Sequence, residues 1–453
     1  MITTIQPGPR AARLPFALKF GWGIGAVGSV TMMIVVNVML LFFMVSVLGV
    51  SPALAGLILG AVRLADMVVD PLMGVLSDRT RSRWGRRRPW MLGGALGSGI
   101  ATVALFHVPS FESLIGTALY MAAALAAYYL SYSMFYVPYI AMPAEMTDDY
   151  DERTSIMSFR TAFSGVAGLI GLGLAPFLIG LFGSTREGFG RMGWVMGACV
   201  AATMLIAVAT TAGARQSVSG GRVSIADSIG VLRNRNFSML LLAKLVALFA
   251  IACNAAVALL FQVHYTTRGA AGLAIIGTCQ HLTTIASIPG WLWLAQRFEK
   301  STLLVWSLVG YAAVSLSWLA AGPAETDAVF VARGVAMGIC YAGVVLLTLS
   351  MLPDVTADEQ RRTGRQVGGA MAGLFAGIEK TAWALAPVAS GIALSLTGFV
   401  GGKDPAIAQS AEAIRGIVLA AAVVPAAAFL LAIPFLFGYS ITREKAMAEV
   451  SAQ

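Results

Sequence analysis

Charged residues are scarce in this chain: aspartate, glutamate, lysine and arginine together make up 12% of its 453 residues. Soluble domains carry roughly a quarter. With 58% hydrophobic residues there is more apolar surface than a soluble core can hide, so lipid has to be the second solvent. Cysteine is equally sparse. Cys199, Cys253, Cys279 and Cys340 all fall inside apolar stretches and read as small core residues, which excludes a disulfide or metal framework. Of three histidines, His107 and His264 lie at the ends of apolar stretches and read as interfacial, and His281 reads as a satisfied core residue. No Walker phosphate loop, Ser-His-Asp set or metal-ligand cluster occurs in the sequence. An ATP-driven pump and a membrane hydrolase are therefore disfavoured, and neither enzymatic activity nor a cofactor is expected. The opening MITTIQPGPRAARLPFALKF lacks the compact pattern of a cleavable signal.

What the chain has is long apolar runs. Twelve spans are expected, near 20–46, 52–77, 90–108, 113–142, 157–182, 190–213, 237–263, 270–295, 302–321, 326–352, 367–399 and 411–438. They are apolar all round, without the period-2 alternation of a membrane barrel, so the fold class is an all-α membrane protein. The net charge of +9 does not point to nucleic acid, because the arginines sit in short links between spans. They concentrate at 78–89 (DRTRSRWGRRRP), 214–235, 296–300 and 359–365, with Arg443 and Lys445 after the last span. All of these fall on one side, which places both termini in the cytoplasm and the chain in a bacterial-type inner membrane. Arg186 and Arg191, on the other side, weaken the bias slightly.

The longest polar link, 214–236, divides the chain into a six-helix bundle over 1–213 and a second over 237–453. An internal repeat supports the division. MPAEMTDDYDERT (142–154) aligns with MLPDVTADEQRRT (351–363), pairing Glu145 with Asp354. Asn37 and Asn254 hold corresponding positions in the first and seventh spans, as do Pro71 and Pro289 in the second and eighth. Parallel repeats of this kind build one of the main transporter architectures, with substrate bound between the halves near the midplane.

Ionisable residues inside such spans are costly and therefore informative. Asp66 and Asp70 lie one turn apart on one face of the second span, with Arg63 three residues before Asp66. Two adjacent carboxylates repel when both are ionised, so they favour a bound cation or share a proton, and either suits coupling to Na⁺ or H⁺. The competing reading is an Arg63–Asp66 pair that fixes helix packing. Lys380 lies deep in the eleventh span, in GIEKTAW, which also carries Trp383. It can pair with a carboxylate of the other half when the cation is absent, or snorkel to a helix end. Glu379, next in sequence, points about 100° away and is not expected to face it. In the fourth span Tyr129, Tyr132, Tyr136 and Tyr139 form a stripe that suits either an amphipathic ligand or helix packing. Arg160 opens the fifth span and can reach substrate, or pair with Asp149 or Asp151.

The stretch from Asp66 through Asp70-Pro71-Leu72-Met73-Gly74 and LSDRTRSRWGRRRPW to Trp90 resembles the glycoside–pentoside–hexuronide:cation symporters of the major facilitator superfamily. VPYIAMPAEMTDDYDER, SMLPDVTADEQRRTG and Lys380 match as well, and the resemblance covers nearly the whole chain. RRRPW is also similar to plant sucrose transporters. The resemblance implies the twelve-helix facilitator fold in two six-helix halves, cation binding at Asp66 and Asp70 (the ligands of Na⁺ if sodium is used), coupling by Lys380 and a sugar contact by Arg160. A threonine near the family's cation falls on Ser133, and a fourth-helix aspartate on Tyr136; both are assigned to the cation site. A first-helix aspartate that binds sugar falls on Val30, which argues against an α-galactoside. Arg63, Tyr129, Tyr132, Arg160 and Trp383 are assigned to substrate. The expectation is a monomeric, cation-coupled symporter of a sugar or glycoside, with a small-molecule substrate, membrane lipid and no nucleic acid as partners. The alternative is a transporter of lysolipid or another amphipathic molecule, because vertebrate lysolipid transporters are similar to this family.

Overall fold

A computed structural model describes residues 14–147, 150–213, 230–364, 368–402 and 407–441. Most of the 214–236 link lies outside the described residues, as do Asp149, Arg443, Lys445 and the Asp151 side chain. All described secondary structure is helical. The spans are α1 (Phe16–Val47), α2 (Pro52–Arg79), α3 (Arg88–Phe106), α4 (Leu114–Ala141), α5 (Ser155–Phe182), α6 (Arg186–Thr210), α7 (Arg235–His264), α8 (Gly269–Ala295), α9 (Lys300–Ala320), α10 (Asp327–Thr363), α11 (Gly368–Leu396) and α12 (Ala411–Phe437). Eleven are long and apolar enough to cross a membrane by length and composition. The remaining one, α11, is as long as the others but carries Glu379 and Lys380 among glycines and alanines.

Proline shapes these helices through the carbonyl four residues back, which loses its N–H partner. In α5 and α12 the turn before the proline widens into π-helix, at Ile170–Leu174 and Leu419–Val423. The carbonyl freed by Pro425 is that of Ala421, and Asn254 Nδ2 donates to it at 2.9 Å. Asn254 thus satisfies a backbone group that lipid would leave unpaired.

The expected end of the tenth span at residue 352 is corrected: α10 runs on to Thr363, through Pro353, and stops at Gly364 with φ +68°. Polar side chains hold the extension in place. Lys300 pairs with Asp354 at 2.6 Å, and Glu359 accepts from Asn234 at 2.6 Å and Arg362 at 3.0 Å. In the first half the duplicated sequence does something different. The helix ends at Ala141, and Pro143 starts a separate turn, Pro143–Met146. Glu145, 3% exposed, holds Arg86 Nη2 at 2.5 Å and Arg87 Nε at 2.6 Å, and Arg87 also reaches Asp78 at 3.0 Å. The repeat therefore has a physical purpose. In each half its acid clamps a basic residue at the start of the third helix, Arg87 before α3 and Lys300 in α9. The two arginines on the opposite side are also accounted for: Arg191 pairs with Glu187 at 2.5 Å, and Arg186 donates to the Val108 carbonyl at 3.0 Å.

The halves meet through α2 against α11, α1 against α7 and α5 against α8. The backbones of α2 and α11 approach closely at the end that carries the 48–51 link. A Cβ at Gly56 would stand 2.3 Å from the Pro387 carbonyl oxygen, and one at Gly391 2.3 Å from that of Pro52. Ser395 Oγ accepts from the Ala53 N–H at 3.0 Å there, and Gly402 N–H donates to the Val45 carbonyl at 3.1 Å. At the opposite end, among the described residues, the ion pairs stay inside one half: Lys19 with Glu152, Arg87 with Glu145, Lys300 with Asp354. The bundle is closed by glycine-mediated backbone contact at one end, and the described ion pairs at the other clamp each half within itself.

Three substitutions test this. Replacing Glu145 by Ala removes the acid shared by two arginines that have little access to water, Arg87 keeping Asp78, and lowers unfolding stability in detergent by about 1.5–3 kcal/mol. Asp354→Ala, in a wetter pair, costs about 1 kcal/mol or less. Gly56→Val prevents the backbone contact and favours separation at the 48–51 end. In a background lacking the four native cysteines, a cysteine at the fully buried Ala55 then reacts faster with a membrane-impermeant maleimide.

Candidate coupling and substrate site

The charged residues of α2 and α11 converge near the middle of the bundle. Asp66 is 2% exposed, and Asp70, one turn on, is partly open. Lys380 reaches across from the other half and its Nζ lies 2.7 Å from Asp66 Oδ2 and in contact with Asp70 Oδ2. The snorkelling alternative for Lys380 does not hold. On the far side of the carboxylates, Ser133 Oγ of α4 sits 2.8 Å from Asp66 Oδ1 and 2.6 Å from Asp70 Oδ1. Four groups from three helices and both halves thus form one cluster.

Its proton count is incomplete. A serine hydroxyl carries one hydrogen, and ionised carboxylates only accept. Ser133 can therefore serve one of its two short contacts, and the other needs a second proton or a cation. The charge count says the same. Two carboxylates against one ammonium leave the direct contacts one positive charge short.

Arg63, 2% exposed, makes its direct contacts elsewhere. Its Nη1 donates to Tyr129 Oη at 2.8 Å and lies 3.3 Å from Met33 Sδ, with Cζ 4.9 Å from the Tyr129 ring centre. The packing ion pair expected as an alternative, Arg63 with Asp66, is not among the described ion pairs. The tyrosine stripe divides. Tyr129 takes Arg63, and Tyr132 stacks on Tyr136 at 5.0 Å between ring centres. Tyr136 Oη accepts from Arg160 Nη2 at 3.0 Å. Tyr139 instead stacks on Trp22 at 4.5 Å and is packing. Tyr136 is thus placed with Arg160, while Asp66, Asp70, Ser133 and Lys380 are together. Arg160 has its Nε buried without a partner. Trp383 packs against the cluster of Ala252, Cys253 and Ala386 with part of its surface open. The four cysteines are free, and His281 lies against Gly168, where any Cβ would collide with its ring.

Sequence reasoning passed over one charged pair. Lys244 of α7 is 5% exposed, and its Nζ donates to the Phe375 carbonyl at 2.8 Å, lies 3.4 Å from the Phe375 ring centre and pairs with Glu379 at 3.3 Å. The signal was available, since Lys244 stands in an apolar run (SMLLLAKLVALFAIA) just as Lys380 does.

A family profile described as MFS/sugar transport protein matches residues 21–443. The uncharacterized symporter sll1374 of Synechocystis is 38% identical over 189 residues, 40% of this chain and 35% of that protein. YagG of Escherichia coli, provisionally named a glycoside/cation symporter, is 28% identical over 354 residues, 78% of this chain and 76% of that one. Among solved structures, a point mutant of the nucleoside transporter NupG superposes with a TM-score of 0.68 at 12% identity, covering 92% of this chain and 99% of that chain. That likeness shows the fold. With the profile spanning nearly the whole chain, the protein belongs to the MFS/sugar transport family, in its glycoside–pentoside–hexuronide group, and is a multi-pass membrane transporter of the major facilitator kind rather than an enzyme.

Proposed function

We propose that this transporter is a symporter that couples entry of a cation, Na⁺ or H⁺, to that of a sugar or glycoside. The observation that carries the reading is Lys380 of one half seated between Asp66 and Asp70 of the other. Lys380 acts as a built-in cation. A solvent cation entering at Asp66, Asp70 and Ser133 supplies the missing positive charge and competes with the ammonium for the carboxylates. Carboxylate and hydroxyl oxygens are hard ligands suited to Na⁺, and the same oxygens accept a proton. Because Lys380 ties α11 to α2, its release loosens the contact between halves, which links ion occupancy to the alternation of access.

The substrate belongs beside this cluster, where Arg63, Tyr129, Tyr132, Arg160 and Trp383 offer aromatic faces and donors suited to hydroxyl-rich rings. The relative YagG, with glycoside/cation in its name, supports the sugar class. The division at 214–236 into two rocking units, both termini in the cytoplasm, an inner-membrane location and a monomeric state complete the proposal. On this orientation the glycine-sealed end faces outward, and the end of the bundle where the ion pairs stay within each half faces the cytoplasm.

Asp70→Asn is expected to reach the membrane in normal amount and to lose accumulation against a gradient, measured as uptake of a labelled sugar panel into cells or proteoliposomes. Concentrative uptake at the normal level by that variant overturns the coupling role. Inhibition of uptake by lysophosphatidylcholine, with no effect of any sugar, selects the amphipathic-substrate alternative instead.

A further inference from the structure

Glu379 is the one acid of α11, and the coupling cluster does not use it. Its side chain is 53% exposed, although the residue stands in the interior of a 29-residue span. A carboxylate half open at that depth does not face hydrocarbon. The helix itself shows where it points. Leu385, Ile392 and Leu396, exposed and apolar, lie on the lipid side. At about 100° per residue they are roughly 100–140° around the helix from Glu379. Glu379 shares its own face with Ala372, Ala376 and Trp383, spaced four, three and four residues apart. The two alanines are exposed and leave room, and this face lies between the contacts of α11 with α2 (Lys380) and with α7 (Lys244). It therefore borders the cleft between the halves.

Lys244 does not saturate the carboxylate. The ammonium is already bonded to the Phe375 carbonyl and stands over the Phe375 ring, and its contact with Glu379 Oε2 is the longer one at 3.3 Å. Lys244 meets one oxygen of Glu379 and leaves acceptor sites on the carboxylate open. One turn further along the same face is the part-open Trp383 ring. An aromatic face one turn from a carboxylate with open acceptor sites suits a sugar ring, with its C–H face on the indole and its hydroxyls donating to the carboxylate.

We infer that Glu379 is a specificity residue of the sugar site, accepting hydroxyl hydrogen bonds from an uncharged glycoside stacked on Trp383 and repelling the carboxylate of a uronide. This rests on the sugar reading above and narrows it to the uncharged members of the glycoside, pentoside and hexuronide classes. Two carboxylates facing each other have only acceptors and no hydrogen to share, and Lys244 already lies on Glu379 Oε2, so rejection is built in as well as recognition.

The test is calorimetric binding to the purified full chain in detergent, using nitrophenyl glucosides and galactosides and the matching uronides, which differ only in CH₂OH against COO⁻. The wild type is expected to bind at least one uncharged glycoside about tenfold more tightly than its uronide. Glu379→Gln keeps a carbonyl acceptor and loses the charge, so the ratio falls toward one. Glu379→Asp keeps the charge and withdraws the acceptor, so discrimination persists while affinity for the uncharged glycoside falls, which keeps the test alive if the glutamine variant does not fold. A wild type that prefers the uronide, or a ratio unchanged in Glu379→Gln, overturns the assignment and leaves the sugar reading intact. Failure of the wild type to bind any of these sugars removes the sugar reading and this inference with it.

Discussion

One contact organises the rest of this molecule: an ammonium from one half of the chain held by two carboxylates of the other, inside a bilayer. An unpaired charge there is costly, so neither Lys380 nor the Asp66–Asp70 pair is stable without a partner. The two elements that carry them, α11 and α2, are for that reason pressed together. The glycines on both helices let the backbones come close enough for the ammonium to reach. Gly56 and Gly391 have no space for a side chain, and a Cβ at Gly60 would stand 2.7 Å from the Ala384 carbonyl oxygen. In membranes such small-residue seams supply the packing that water-driven burial supplies elsewhere. The seam and the ion contact depend on each other.

The two halves solve the same anchoring problem with related residues and different backbones. Glu145 and Asp354 both clamp the basic start of the third helix in their half. The first does so from a separate helical turn after a break at Met142, the second from an unbroken helix that passes through Pro353. The first clamp is nearly dry and holds two arginines, and the second is more open. The duplicated halves are therefore not mechanically equal. The proline at Pro143 lies at the first position of a new turn, where its missing N–H costs nothing. Pro353 lies within a helix, and Lys300, bonded to the Ser350 carbonyl at 3.1 Å and to Asp354, supports the chain beside it.

Charge is also distributed unequally between the halves. The α2 and α4 side carries the acids and Ser133, with Arg63 turned to Tyr129, while α7 and α11 bring two lysines and one glutamate. Adjacent residues on α11 serve different partners, Lys380 toward α2 and Glu379 toward α7, because neighbours on a helix diverge by about 100°. That divergence lets one helix link the cation cluster with the cleft wall.

The composition, the run lengths and the internal repeat by themselves determined the all-helical membrane fold, the duplicated halves and, the end of α10 apart, the spans to within a few residues. Lipid permits few alternatives to a helix once a stretch is apolar all round. The pairing of Asp66 with Asp70 was equally legible, since four residues on a helix place two side chains on one face whatever surrounds them. The tertiary structure decided the rest. Arg63 shares that face yet bonds Tyr129, and a residue three positions away is not thereby a partner. Tyr136 and Tyr139 belong to one stripe yet divide between Arg160 and Trp22. The choice of Lys380 for the acids and of Lys244 for Glu379 depends on how α2, α7 and α11 are set against one another. Sequence spacing describes one helix at a time, and a charge in a bilayer finds its partner on another.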